Sequence, residues 1–167
     1  MAAMLLVTAY AAGDNQVSAN PVNQQVIVTV PEAIAISVQT PVSFGNVSAG
    51  TYNVSSPNYT INNTGNVRID LYAKTNATAF TSSTAIDNIP ILNNYYIKNN
   101  NTGNFVQVST SSVKIYDNMN KASPGAGTPH VWNTAGQRLT IPSYTEDGTY
   151  SIGLIYTAVK RGGTAPP

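Results

Sequence analysis

Apolar and polar residues alternate with a period of two along most of the chain, from about Gln24 onward. Such alternation is typical of β-strands that place one face on a core and the other in water. The clearest case is residues 67–74, where an apolar set alternates with a polar set that we expect to face solvent: Val67, Ile69, Leu71 and Ala73 against Arg68, Asp70, Tyr72 and Lys74.

The same alternation predicts further strands between turn signals. Turns are indicated at residues 63–66, 99–103 and 147–148, which are rich in Asn, Gly and Asp. Shared faces are formed by Val26, Val28 and Val30, and, after the break at Pro31, by Ile34, Ile36 and Val38. The other predicted strands are 59–61, 94–97, 105–109, 113–116, 138–141 and 148–159.

The last of these strands is apolar on both faces. Tyr150, Ile152, Leu154, Tyr156 and Ala158 share one face, while Ile155 and Val159 lie on the other. A strand that is apolar on both faces is typical of the middle of a sheet, so we expect it to be central.

No ten-residue stretch has a helical period, and seven to ten short strands indicate a single all-β domain, a β-sandwich of jelly-roll type. Residues 117–136 contain two prolines and three glycines and are predicted to be a long surface loop. That loop would hold His130, the single histidine.

Four segments follow from these patterns. Residues 1–12 are apolar, residues 13–23 form a polar linker broken by Pro21, residues 24–160 form the sandwich domain, and residues 161–167 form a polar tail. Twelve apolar residues are too few to span a bilayer, which needs about 20. Ala9-Tyr10-Ala11 fits the end of a secretory signal, but the basic n-region is missing, so we expect the segment to be kept in the mature protein.

An exposed apolar segment of this kind would aggregate, so we expect either its own domain or a neighbouring subunit to bury it. In an extended chain both faces of residues 4–11 are mostly apolar, as in a strand buried on both sides. Insertion into a neighbour is the β-augmentation mode of donor-strand complementation. The predicted donor strand is Met4, Leu5, Leu6, Val7, Thr8, Ala9, Tyr10 and Ala11.

Charged residues make up only 9% of the chain and the formal net charge is +1. This composition gives no electrostatic footprint for nucleic acid or an anionic membrane. The absence of cysteine excludes disulfides, thiolate metal sites and thiol nucleophiles. The surface is expected to consist of uncharged polar residues, which suits an extracellular protein.

Candidate chemistry is sparse. One histidine cannot form a two-histidine metal site, and no nucleophile elbow of the G-x-S-x-G type is present. Glu146 and Asp147 could be written as a glycosidase pair, but a hairpin turn is the simpler interpretation. We expect neither catalysis nor a cofactor. Asp117, Asn118 and Asn120 could serve as calcium ligands, although a polar turn explains them as well.

Six Asn-x-Ser/Thr sequons occur, mostly in predicted turns or at strand ends where a glycan would lie outside the core. Chance alone accounts for about four in a chain this rich in Asn, Ser and Thr, so their placement is more informative than their number. The candidate glycosylation sites are Asn46, Asn53, Asn58, Asn62, Asn76 and Asn100.

Three motifs together resemble a known family: VSFGNV at 42–47 followed by Gly50-Thr51, YTINNTGNV at 59–67, and GTYS at 148–151. They are similar to the β-sandwich subunits of archaeal surface filaments, the thread-like and bundling pili, and to bacterial biofilm fibre proteins of the TasA type. The resemblance covers residues 24–160. It implies a jelly-roll-like domain with an open groove, filled by the N-terminal strand of the next subunit, and no catalytic residues.

The sequence therefore predicts a homopolymeric, extracellular filament subunit that functions in adhesion or biofilm formation. Its partners would be identical subunits, N-linked glycans, and other filaments or cell surfaces. A monomeric carbohydrate-binding or adhesive module is the alternative, with Tyr95, Tyr96 and Trp132 stacking on sugars. A surface-layer or viral coat component is a third interpretation, which differs only in lattice geometry.

Overall fold

The computed structural model describes residues 24–123, 125 and 127–167. The chain divides into two compact units, Met1–Val30 and Pro31–Pro167. In the first unit, the described residues 24–30 form no strand, although their alternation predicts one. Their apolar side chains are exposed, from 71% for Val30 to 85% for Val26.

The second unit is all-β, as the alternation predicted, and no helix occurs in the described part of the chain. Its strands are β1 (Ile36–Val38), β2 (Val54–Ser55), β3 (Tyr59–Asn63), β4 (Ile69–Thr75), β5 (Ala79–Ser82), β6 (Ile89–Pro90), β7 (Tyr95–Lys98), β8 (Phe105–Gln107), β9 (Val113–Met119), β10 (His130–Ala135), β11 (Gln137–Leu139), β12 (Tyr150–Ser151) and β13 (Leu154–Lys160).

Four small antiparallel sheets make up this sandwich-like unit, with strand orders β1-β3-β10, β2-β11-β7-β8, β12-β5-β6 and β13-β4-β9. Their inward faces meet in one apolar cluster. Burial is complete for Ile61, Leu71, Ile97, Ile115 and Met119, which come from four strands in three of the sheets. The inward-facing residues of these strands therefore supply the core, as expected of a sandwich.

The turn between β3 and β4 forms where the sequence predicts it, and a buried asparagine organises it. The side-chain amide of Asn63 donates hydrogen bonds to the carbonyls of Val67 (2.9 Å) and Asn120 (2.8 Å), and its oxygen accepts one from the Gly65 amide (3.0 Å). A Cβ at Gly65 would lie 2.3 Å from the carbonyl oxygen of Ala33. Only glycine therefore lets the segment before β1 pack on this turn.

The region predicted as a surface loop, residues 117–136, contains strand residues at both ends. β9 continues to Met119, and His130 begins β10 rather than lying in a loop. β10 pairs with β3 and buries Trp132, which is 3% exposed. A bulge between Trp132 and Ala135 breaks the alternation that would have revealed this strand.

The predicted polar face of β4 is also partly wrong. Asp70 and Tyr72 are 2% and 6% exposed, because β4 is central between β13 and β9 and its outer face is covered. Lys114 on β9 makes this burial tolerable: its Nζ lies 3.0 Å from Asp70 Oδ2 and 5.6 Å from the centroid of the Tyr72 ring.

The long strand predicted to be central lies at a sheet edge and is interrupted. It is divided into β12 and β13, and β13 pairs with β4 but with no other strand in the described part of the chain. Ile155, on its outer face, is 42% exposed. A strand with the apolar pattern of a sheet interior thus has one unpaired edge.

Candidate functional site

An open groove of about 990 Å³ runs along one side of the second unit. One wall is the segment 38–49, which begins at the end of β1, and the other is the segment 145–156, which contains β12 and the start of β13. The floor between these walls is formed by Phe80, Ile89, Tyr95, Gln137, Leu139 and Ile141.

Each wall includes the end of a strand that has an unpaired edge. β1 pairs with β3 and β13 pairs with β4, and neither strand has a second strand partner among the residues that the structure describes. Unpaired edges present rows of free backbone N–H and C=O groups, which can pair with another strand. The groove therefore combines an apolar floor with backbone groups on its walls that are able to bind an extended chain.

The apolar side chains on the walls are only half-buried. On the 38–49 wall these are Val38, Val42, Phe44 and Val47, and on the opposite wall Tyr150, Ile152, Leu154 and Tyr156. All of them pack against the fully buried core on one side and face the groove on the other. The core is thus incompletely covered along this line, which is what a sandwich lacking one strand would show.

Tyrosines at the groove floor are linked through a buried glutamine. Tyr95 donates to Gln137 Oε1 at 2.7 Å, Gln137 Nε2 donates to the Tyr59 hydroxyl at 3.3 Å, and the hydroxyls of Tyr59 and Tyr156 lie 2.6 Å apart. Burial raises the pKa of all three phenols above the ordinary value. Because these hydroxyls are bonded within the protein, the floor can accept an apolar side chain without leaving a polar group unpaired.

Charge is confined to one end of the groove. Among the lining residues only Glu146 and Asp147 are charged. Glu146 Oε2 accepts hydrogen bonds from the backbone amides of Ile86 (2.7 Å) and Asp87 (3.3 Å), so this carboxylate holds a neighbouring loop. The pair lies between β11 and β12, which belong to different sheets, so it does not form the hairpin turn that the sequence suggested.

The structure separates the other candidate residues. The predicted donor strand, residues 4–11, lies outside the described residues. Asp117 binds Lys114 (3.0 Å), the backbone amide of Asn118 donates to Asp70, and the carbonyl of Asn120 accepts from Asn63, so the three calcium candidates have unrelated roles. Among the described residues, no group of three or more His, Asp or Glu residues could hold a metal ion.

The aromatic residues named for sugar binding are mostly inside the domain. Tyr95 and Trp132 are 2% and 3% exposed, and Tyr96 is half-buried. Among the described residues, the strongly exposed tyrosines are instead Tyr52 and Tyr144, at 79% and 96%. Sequence reasoning missed these two because they lie in irregular segments with no alternation.

Solvent access divides the six sequons. Asn46, Asn53, Asn58 and Asn76 are exposed, whereas Asn62 and Asn100 are half-buried. Asn62 lies within β3, which is paired on both sides, and its Oδ1 is buried without a hydrogen-bond partner. Asn46 lies on the groove wall.

No helix in the described part of the chain has the length and hydrophobicity needed to cross a membrane. Neither the protein-family models nor the curated protein sequences that were compared with this chain match it.

Proposed function

We propose that the protein is the structural subunit of an extracellular filament, in which a strand from the N-terminal part of one subunit fills the groove of the next. The supporting observation is a groove of about 990 Å³ that is lined by half-buried apolar side chains packed on the core, and whose walls include the ends of two strands with unpaired edges. Donor-strand binding uses this combination, because main-chain hydrogen bonds supply affinity and side-chain pockets supply register. Each subunit would thereby complete the core of its neighbour.

Other features support an extracellular polymer. The chain has no cysteine and few charges, and a polymer of this kind is stabilised by shared packing. Exposed sequons at Asn53 and Asn58 could carry glycans on the outside of the fibre. The resemblance to archaeal thread and pilus subunits favours adhesion or biofilm formation as the role. Enzymatic activity is not part of the proposal.

A monomeric sugar-binding or adhesive module has less support. Its named aromatic residues, Tyr95 and Trp132, are buried and pack in the core. A surface-layer or viral coat component would use the same groove in a different lattice.

The first experiment is electron microscopy and size-exclusion chromatography of the native protein, where we expect filaments. A matched pair of variants then tests the groove. Leu154 faces the groove, whereas its neighbour Ile155 lies on the outer face of β13. Leu154→Asp should abolish filaments because a charge would enter an apolar groove, and Ile155→Asp should leave them intact.

Truncation of the N-terminal residues tests which segment supplies the inserted strand. Removing residues 1–30 should leave a soluble second unit that no longer polymerises, because all strands of the described structure lie in Pro31–Pro167. Removing only residues 1–12 tests the donor strand that the sequence predicts. Normal filaments after the longer truncation would contradict the proposal.

A further inference from the structure

Residues 24–30, QQVIVTV, are the most exposed apolar stretch in the described part of the chain. Val26, Ile27, Val28 and Val30 are 85%, 76%, 84% and 71% exposed. Five consecutive residues are β-branched, none of the seven is charged, and no glycine or proline interrupts them. This composition favours a strand, yet the segment forms none. Such a segment needs a partner to cover it.

We propose that residues 24–30 of a second copy of the chain fill the groove and pair with the open edge of β13. This inference rests on the proposed function and identifies its donor segment, in place of residues 4–11. The lengths are compatible, since seven residues span about 23 Å of extended chain and the groove wall at 145–156 contains the start of β13.

The side chains of the segment also match the groove. Val26, Val28 and Val30 lie on one face of an extended chain and match the apolar side chains of the groove, whereas the other face carries Gln25, Ile27 and Thr29, of which two are polar. The open edge belongs to the strand whose sequence has the two-faced apolar pattern of a sheet interior. An added strand would place β13 in the interior that its sequence indicates.

The occupant is a second copy because the segment joins the domain at the end of β13 that lies away from the groove: Glu32 pairs with Lys160, whereas only Leu154 and Tyr156 of β13 line the groove. A reversal along β1 is also forbidden. Only Pro31 and Glu32 separate Val30 from Ala33, whose backbone amide and carbonyl both bond to Asn66, at 2.7 and 3.0 Å. A two-residue hairpin turn requires a positive φ at its first residue, and proline is locked near −65°. The chain therefore lacks the turn that would return the segment alongside β1.

Aspartate substitutions in the full-length chain test the inference through filament yield, measured by sedimentation and electron microscopy. Val28→Asp should lower the yield about a hundredfold, because an unpaired charge would enter the apolar groove. Thr29→Asp, on the opposite face of the same strand, should change it less than about twofold. Leu6→Asp should likewise assemble normally. Because Val28 precedes the domain, circular dichroism should show the same folded unit in each variant.

The outcomes separate the inference from the proposed function. If Leu6→Asp abolished filaments and Val28→Asp did not, the inference would be overturned, but the proposed function as a filament subunit would stand. Equal loss with Val28→Asp and Thr29→Asp would overturn it too, because an inserted strand has only one face in the groove. Loss with both Val28→Asp and Leu6→Asp, with Thr29→Asp intact, would support it and add the N-terminal segment to the interface. A wild-type chain that stays monomeric would overturn the proposed function itself.

A peptide comprising residues 24–30 supplies a second readout in the full-length Val28→Asp variant. Bound in the groove, the wild-type peptide should raise the melting temperature of this non-assembling variant, and a peptide carrying the same aspartate should not. Identical melting temperatures with both peptides at saturating concentration would overturn the inference.

Discussion

The side chain of Asn66 binds the carbonyl of Pro31 through its Nδ2 at 2.9 Å. This bond anchors the backbone of Pro31, the first residue of the second unit. Glu32, which follows Pro31, forms an ion pair with Lys160, at the end of β13 that lies away from the groove. Glu32 and the groove are therefore at opposite ends of β13. A segment that leaves a subunit at one end and a site that receives it at the other is the arrangement that lets subunits add in a line.

Asp70 should make the domain sensitive to acid. Burial alone would raise the pKa of its carboxyl, but hydrogen bonds from the Asn118 amide (2.9 Å), Lys114 Nζ (3.0 Å) and the Gly162 amide (3.3 Å) outweigh burial and lower it. A lowered pKa in the folded state stabilises the fold above the unfolded pKa of about 3.9, and this contribution is lost as the pH falls through the folded value.

Asp70→Asn should therefore reduce the free energy of unfolding by about 2 kcal/mol at pH 7, and this deficit should shrink as the pH falls through the lowered pKa of Asp70. Urea denaturation at several pH values measures it. Asp117→Asn removes the exposed carboxylate that pairs with the same lysine, and should reduce the free energy of unfolding by less than about 1 kcal/mol. A deficit for Asp70→Asn that does not change with pH would contradict the assignment.

Gln137 should stabilise the groove floor through the tyrosines that it joins. Gln137→Met leaves the Tyr95 hydroxyl without its acceptor and the Tyr59 hydroxyl without one donor, so we expect a loss of about 2–4 kcal/mol. Adding Tyr95→Phe removes the hydroxyl that has lost its acceptor, and should recover part of the lost free energy of unfolding. Strictly additive losses in this double-mutant cycle would show that the two groups are uncoupled.

Tyr144 has a backbone φ of 65° while its side chain is 96% exposed. Non-glycine residues in this conformation cost about 1–2 kcal/mol, and Tyr144 gains no packing in return. Tyr144→Gly should therefore raise the free energy of unfolding by about 0.5–1 kcal/mol after the entropy cost of glycine is subtracted. Tyr52→Gly, at an exposed tyrosine without a positive φ, should lower it. A decrease with Tyr144→Gly would contradict the strain argument.

Glycan occupancy at each sequon should follow the solvent exposure of its asparagine. In protein purified from its source we expect Asn53 and Asn58 to be modified and Asn62 to be bare, because Asn62 is half-buried in a strand paired on both sides and its Oδ1 is inaccessible to solvent. Glycopeptide mass spectrometry measures the occupancy of each site. A glycan on Asn62 would contradict the placement of that side chain, and bare asparagines at all six sequons would remove the glycoprotein proposal without affecting the fold.

Period-two alternation was enough to predict the all-β class and the approximate positions of β3, β4, β7 and β9. It missed β2 and β6, which are two residues long, and β10, whose bulge breaks the pattern. Burial of Asp70 could not be predicted, because it depends on Lys114, 44 residues away in the sequence. The groove could not be predicted either, because its walls and floor are brought together by tertiary pairing. In the sequence, the only indication of the groove was that β13 is apolar on both faces.

Disulfide cross-linking tests the central claim most directly, because the natural chain contains no cysteine. Val28→Cys is combined in turn with a cysteine at Ile152, Leu154 or Tyr156, which face the groove. Cα atoms on adjacent strands lie about 4.5–5.5 Å apart, within disulfide range. With at least one pairing, oxidised filaments should give a ladder of covalent multimers on a non-reducing gel, and Thr29→Cys in place of Val28→Cys should give none. Cross-links confined to monomers, or a ladder formed only with Leu6→Cys, would contradict insertion of residues 24–30 into a neighbouring subunit.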